Sequence, residues 1–267
     1  MNSAASHDPL DLDRLRSLLG RRAELFAIEV RERCASSNLA LIEAAERGAP
    51  HRTVIACEQQ TAGRGRRGRQ WISPGDGGLT FSLLWRFEPG APAPGGLSLA
   101  AGVAVARAVE FLGAGGVGLK WPNDVLLAGR KLAGILVELV PDAPRRTHAA
   151  VIGIGINLRL PAGFGADHEF AAVDLAYALD AAPRRADLLA ALLAELDRTL
   201  DRYGALGFSG LRADWLARNA FRDLPVRLIG ERETLEGMCR GVDVDGALLL
   251  ETPAGLQRIV SGEVSLR

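Results

Sequence analysis

The spacing of apolar side chains changes along the chain, and each change marks an element. Leu12, Leu15, Leu18 and Leu19 recur at helical intervals and run into Gly20, which predicts a short helix near the start. Leu25–Val30 is a short apolar run and reads as a strand. Ser36-Ser37-Asn38 precedes Leu39, Leu41, Ile42 and Ala45, with Gly48 behind them; polar cap, helical period and terminal glycine together predict a helix. Thr53–Cys57 and Leu79–Trp85 read as strands, and residues 61–78 between them, rich in glycine, arginine and proline, as mostly loop. Leu97–Leu112 is apolar almost all round, with only Arg107 and Glu110 charged, which predicts a largely buried helix.

Val117–Trp121 reads as a strand, Val125–Leu127 with Ile135–Val140 as a hairpin, and Val151–Leu158 as a further strand. Leu188, Leu189, Leu192, Leu193, Leu196, Leu200 and Tyr203 form the clearest amphipathic helix, with Gly204 as its expected stop. Beyond about Arg222 the texture changes to short strands at 225–229, 233–239, 241–251 and 256–260, with Asp245-Gly246 as a turn. Helices and strands mix without strict alternation. That predicts an α+β fold on a mixed or antiparallel sheet, followed by a small β-barrel. The expected division is an N-terminal extension at 1–23, a main domain at 24–220 and the barrel at 221–267.

Composition narrows the function classes. Hydrophobic residues at 48% and charged residues at 24% rule out wholesale disorder. Lys plus Arg number 32 and Asp plus Glu number 32, so the global basic excess of a nucleic-acid-coating protein is absent and any anion site must be local. No apolar run approaches the roughly 18–20 residues that cross a bilayer, and the first residues lack a basic-then-apolar leader pattern. Cys34, Cys57 and Cys239 are odd in number, far apart and without CxxC spacing, so free thiols in a reducing cytoplasm are expected. HExxH, GxSxG and GxxxxGK[ST] are all missing, which argues against a zinc hydrolase, a nucleophile-elbow hydrolase and a P-loop enzyme.

The most unusual segment is Gly63-Arg64-Gly65-Arg66-Arg67-Gly68-Arg69-Gln70-Trp71. Four guanidinium groups within six residues repel one another, and a bound anion would offset that cost. Its glycines let backbone N–H groups approach such an anion, and Trp71 offers a flat face for a base. Taken alone, the segment is also compatible with a solvated basic loop or an RNA grip. Its flanks favour a lid over a pocket, because Gln59-Gln60-Thr61-Ala62 follows one strand and Leu79 begins the next.

Three further clusters carry candidate chemistry. Lys120-Trp121-Pro122-Asn123-Asp124 stands between two strands; its lysine and carboxylate suit a nucleoside triphosphate with Mg²⁺, or form an ordinary turn with a surface ion pair. Lys131, at the head of Lys131-Leu132-Ala133-Gly134-Ile135-Leu136, is either a snorkelling edge residue or a cation over an apolar slot, with Gly134 letting a ligand lie against the backbone. Gly153-Ile154-Gly155-Ile156-Asn157-Leu158 is a poor dinucleotide fingerprint, since its third glycine is missing; it reads as a strand against which something packs closely, with Asn157 turning an amide inward.

Taken together, SSN (36–38), QTAGRGRRGRQW (60–71), KWPNDVLL (120–127), GRKLAGILVEL (129–139), GIGINL (153–158) and the tail SGEVSLR (261–267) strongly resemble the biotin protein ligases, over roughly residues 25–267. The resemblance implies an α+β catalytic domain related to lipoate ligases, with a C-terminal SH3-like barrel. It implies ATP-dependent formation of biotinyl-5′-AMP, then transfer of biotin to one lysine of a biotin carboxyl carrier domain of acetyl-CoA carboxylase or a related carboxylase, in the cytoplasm. Its cofactors would be ATP and Mg²⁺, and no membrane would be involved.

By match to the family motifs, Ser36, Ser37, Asn38, Gln60, Gly63, Arg64, Gly65, Arg66, Lys131 and Gly134 are expected around biotin. Arg66, Arg67, Trp71, Lys120, Asn123, Asp124 and Asn157 are expected around the nucleotide, with Trp71 as adenine platform and Asp124 linked to Mg²⁺ through water. Lys131, Arg66, Asp124 and Lys120 are the expected catalytic set. Ala35 departs from the acidic residue the family often places there. The residues before position 24 do not match the winged helix of repressor members, so no DNA binding is expected. Family members occur as monomers or as sheet-to-sheet dimers, which leaves a homodimer open.

Overall fold

The computed structural model of the chain describes residues 8–73, 77–88, 94–142, 147–161, 163–164, 171–230 and 233–266. The first seven residues of the N-terminal extension and Arg267 of the tail lie outside these. The strands are β1 (Ala27–Cys34), β2 (Thr53–Gln60), β3 (Gly78–Arg86), β4 (Val117–Lys120), β5 (Asp124–Leu127), β6 (Arg130–Asp142) and β7 (Thr147–Asn157), then β8 (Pro225–Ile229), β9 (Thr234–Val242), β10 (Leu248–Thr252), β11 (Gly255–Ile259) and β12 (Glu263–Leu266). The helices are α1 (Leu12–Leu19), α2 (Ser37–Glu46), α3 (Leu97–Phe111), α4 (Arg185–Leu206) and α5 (Arg212–Leu216).

The first seven strands form one sheet in the order β1-β2-β3-β7-β6-β5-β4, and the last five form a second in the order β11-β10-β9-β8-β12. Among the described strands, β1 and β2 pair in parallel, joined through α2, and the other strand pairs are antiparallel. The large sheet is therefore mixed, in an α+β arrangement, and the small one antiparallel. One face of the large sheet packs on α3, α4 and α1 and forms the main core, with Phe81, Leu83, Val103, Ile152, Leu192 and Leu196 fully buried. The other face carries a smaller core under α2, built from Leu41, Ile55, Cys57, Leu84 and Val151.

Several elements differ from the sequence pattern, among them β1, which covers Ala27–Cys34 rather than Leu25–Val30. The long amphipathic helix runs through Gly204 and ends at Gly207, whose φ of 63° and N–H to the Tyr203 carbonyl (2.8 Å) close it. β12 is too short to show a period, yet it pairs with β8 at the edge of the small sheet.

The cysteines overturn the thiol expectation. Cys34 and Cys57 form a disulfide between β1 and β2, with a Cα–Cα distance of 6.2 Å. Sequence spacing conceals this: the parallel register sets Arg31 beside Cys57 and Cys34 beside Gln60, so the two cysteines approach only diagonally. Cys239 is the free, buried thiol. The cysteine argument for a reducing compartment therefore falls. Closing a loop across a separation of 23 residues restricts the unfolded chain. Cys34→Ser is expected to lower stability by about 3 kcal/mol in urea unfolding. Added reductant should lower the parent by a similar amount and the variant not at all.

Candidate active site

The site occupies the part of the sheet's second face that α2 leaves uncovered. Side chains alternate along a strand, so this face of β7 carries Ala149, Val151, Gly153, Gly155 and Asn157 in turn. Ala149 and Val151 pack under α2, and from Gly153 onward the bulk disappears. The facing residues of β3 (Thr80, Ser82) pair with Gly155 and Gly153, and those of β6 (Gly134, Leu136) pair with the same two glycines. The result is a lowered floor beneath a cavity of about 580 Å³.

Two side chains settle into this floor. A Cβ at Gly153 would stand 2.0 Å from Asn38 Oδ1, and one at Gly155 would stand 2.2 Å from the Trp71 ring. The glycines of the GIGINL segment thus serve close packing by Asn38 and Trp71. A Cβ at Gly134 would likewise stand 3.1 Å from Trp71, so the indole covers the backbone there. The Trp71 Nε1 group is buried and has no hydrogen-bond partner among the described residues.

One end of the cavity is neutral and polar. Ser36 occupies the N-cap position of α2, but its hydroxyl makes no capping bond. The Ser37 N–H instead donates to Gln60 Oε1 (2.7 Å), so β2 supplies the cap. Ser37 Oγ and Ser82 Oγ are 2.8 Å apart, and Ser82 Oγ also donates to Asn38 Oδ1. Asn38 Nδ2 donates to the Leu136 carbonyl (3.2 Å) and to Glu138 Oε2 (2.9 Å).

The other end is charged. Lys131 Nζ lies 2.7 Å from Asp124 Oδ1, and Lys120 Nζ lies 3.3 Å from Asp124 Oδ2. Burial pushes the Asp124 carboxyl up, but the two ammonium groups outweigh it and hold it below the usual carboxylate range. Each carboxylate oxygen thereby accepts from one ammonium group and keeps a second lone pair. Among the described residues no group of three His, Cys, Asp or Glu side chains gathers that could hold a metal. Mg²⁺ is commonly held by one or two carboxylates together with substrate phosphates and water, and Asp124 would supply the carboxylate in this cavity.

The arginine–glycine segment folds over the cavity, with Arg64 toward the neutral end. The Gly65 N–H donates to the Arg69 carbonyl (2.7 Å) and the Trp71 N–H to the Gly63 carbonyl (3.0 Å), which makes it a tight flap. Arg64 pairs with Glu138 (3.0 Å), and Arg69 pairs with Glu263 of β12. Arg66 Nη1 donates to the Gly262 carbonyl (3.3 Å), and Arg67 Nη1 to the Ile229 carbonyl (3.3 Å). The flap is thus anchored on both sheets, unlike a free nucleic-acid tail. Burial lowers the Arg66 pKa, with Glu263 and Asp124 opposing that and Arg67 and Arg69 adding to it.

Ser36, Ser37, Asn38, Gln60, Arg64, Gly65, Arg66, Trp71, Lys120, Asn123, Asp124, Lys131, Gly134 and Asn157 all line the one cavity. Gly63 and Arg67 do not line it: Gly63 sits at the flap's stem, and Arg67 reaches to β8. Asn123 Nδ2 donates to the Ile135 carbonyl (2.9 Å), and Asn157 Nδ2 to the Lys131 and Val173 carbonyls (3.3 and 3.0 Å). These two amides brace the strands that carry the lysines. Sequence reading missed Thr80, Glu263 and Ser265, which line the cavity, and Ser82 and Glu138 beneath it. The alternation of small polar side chains on β3 was available as a signal; the contribution of β12 was not.

Comparison with known proteins agrees with this geometry. Residues 34–157 match the model of the biotin/lipoate A/B protein ligase family, and residues 225–267 that of the biotin protein ligase C-terminal domain. The chain is 38% identical to the bifunctional ligase/repressor BirA of Salmonella typhimurium over 97% of its own length and 78% of that protein's. It is 38% identical to the biotin–[acetyl-CoA-carboxylase] ligase of Paracoccus denitrificans, over 79% of this chain and 88% of the relative. The biotin protein ligase of Aquifex aeolicus in complex with biotin and ATP superposes with a TM-score of 0.76 at 29% identity, covering 90% of this chain and 98% of that one.

Proposed function

The chain belongs to the biotin/lipoate A/B protein ligase family, and from that premise we propose how its site works. It is a biotin protein ligase that uses ATP. In the first step a biotin carboxylate oxygen attacks the α-phosphorus of ATP and pyrophosphate leaves. In the second, the neutral amine of a carrier-domain lysine attacks the acyl carbon of biotinyl-AMP, AMP leaves with the bonding electron pair, and the amine gives up one proton to solvent.

The observation that carries this reading is the polarity of the cavity. Ser37, Asn38 and Gln60 form a neutral, hydrogen-bonding end over a glycine floor, and Lys131, Lys120 and Arg66 form a cationic one. A ureido head and an acidic tail fit that gradient. A lipoyl or octanoyl chain would leave the cavity-facing Ser37 lone pairs and Gln60 Nε2 without partners, at a cost of about 1–3 kcal/mol each. Lys131 serves the biotin carboxylate and then the phosphoryl and acyl oxygens as charge moves between them. Arg66, braced by Gly262, closes the flap over the adenylate, and Trp71 flanks it.

Biotin-dependent exchange of labelled pyrophosphate into ATP by the purified protein tests this. Exchange that starts only when biotin is added is expected. Exchange driven equally well by lipoate or octanoate would overturn the choice of substrate.

A further inference from the structure

Glu138 and Ser82 lie behind the neutral end of the cavity, and neither belongs to the expected site. We propose that they are positioning residues: through Asn38 they fix Ser37 as a hydrogen-bond acceptor, so that the site reads a ring N–H of its ligand. The proposal deepens the biotin reading and rests on it.

A carboxylate and a backbone carbonyl only accept hydrogen bonds. Asn38 faces both, Glu138 Oε2 at 2.9 Å and the Leu136 carbonyl at 3.2 Å, so its NH₂ group must point to them. Its Oδ1 is then turned to Ser82 and can only accept. Ser82 has a single hydroxyl proton, which goes to Asn38 Oδ1. The remaining Ser82–Ser37 contact of 2.8 Å therefore has Ser37 donating and Ser82 accepting. Ser37 spends its one proton inward and turns lone pairs to the cavity that it lines.

Gln60 is oriented the opposite way. Its Oε1 accepts from the Ser37 N–H at 2.7 Å, which leaves Nε2 as the outward donor. A side-by-side acceptor and donor match the N–H and C=O of a cyclic urea. Asn38, Ser82 and Ser37 are all buried, so no bulk water is available to reverse the chain, and a mismatched group would meet an unpaired partner. Arg64 pairs with the other Glu138 oxygen at 3.0 Å, which keeps that carboxylate in place.

The test compares binding of biotin with that of the two cyclic carbamates in which one or the other ring N–H is replaced by oxygen. Calorimetry gives the affinities, and steady-state KM values for biotin and ATP come from the same proteins. The wild type is expected to bind one carbamate at least about a hundredfold more weakly than biotin. Ser82→Ala frees the Ser37 hydroxyl to turn outward and should narrow that gap about tenfold. Glu138→Gln lets the Asn38 amide take either orientation, with the Leu136 carbonyl still biasing it, and should narrow the gap by more than twofold. KM for ATP should stay unchanged in both. A gap that stays within twofold of the wild type in either variant, or no gap in the wild type, overturns the relay. A wild type that binds no biotin overturns the substrate reading, and the relay with it.

Discussion

Replacing Lys131 with alanine is expected to slow biotin-dependent pyrophosphate exchange by about a hundredfold to a thousandfold. Two losses combine. The Lys131 ammonium of the charged end disappears, so negative charge building on the carboxylate, phosphoryl and acyl oxygens loses a cation. Asp124 also loses its closer partner, at 2.7 Å, and keeps only Lys120 at 3.3 Å. Lys131 is itself a third exposed on its cavity side, so its removal opens no void in the main core. Biotin and ATP should therefore still bind, each within about tenfold of the parent. The effect belongs in the single-turnover rate of adenylate formation, followed by rapid quench. A variant with normal turnover would remove Lys131 from the chemistry.

Much of this site was legible in the amino-acid order because its motifs are local. SSN marks a helix start, the Arg-Gly run a flap, and the KWPND and GRKLAG segments two lysines at strand ends. What local pattern could not convey was which partners those side chains meet. Asp124 reads in sequence either as a carboxylate for a Mg²⁺-bound nucleotide or as the partner of a lysine in a turn, and the turn into β5 with the pairing to β6 places it between Lys120 and Lys131. Asn157 reads as an inward amide for a nucleotide, yet its N–H groups are spent on backbone carbonyls. Both residues take their partners from the register of consecutive antiparallel strands, which the motifs themselves do not state.

Long-range pairing hid other features in the same way. The Cys34–Cys57 bond depends on the parallel register of β1 and β2, which no run of residues encodes. Glu263 and Ser265 reach the cavity only because β12 adds to the small sheet beside β8. Gly204 looked like a helix stop because glycine is a poor helix former, but its side-chain-free position is tolerated there. The helix ends three residues later, where Gly207 can take a positive φ.

The other large effect is expected at Gly155. Gly155→Val places a branched side chain where even a Cβ would stand 2.2 Å from the Trp71 ring. The strand cannot yield, because Gly155 is paired with Thr80 on one side and Gly134 on the other, within the middle of the sheet. The indole must leave instead. Trp71 closes the stem of the flap through its N–H to the Gly63 carbonyl at 3.0 Å, so displacing the ring loosens the segment that carries Arg64 and Arg66. A misplacement of about 1 Å at reacting groups can cost a hundredfold, and overall biotin transfer should fall at least that far. Stability should fall by about 1–3 kcal/mol from the forced overpacking. Pairing the change with Trp71→Leu distinguishes this clash from general damage to β7. If the ring is the obstacle, the double variant is more stable than the sum of the two single losses by more than about 1 kcal/mol in urea unfolding. Additive losses would mean that the valine acts through the strand, and that the glycine is not there to seat the tryptophan.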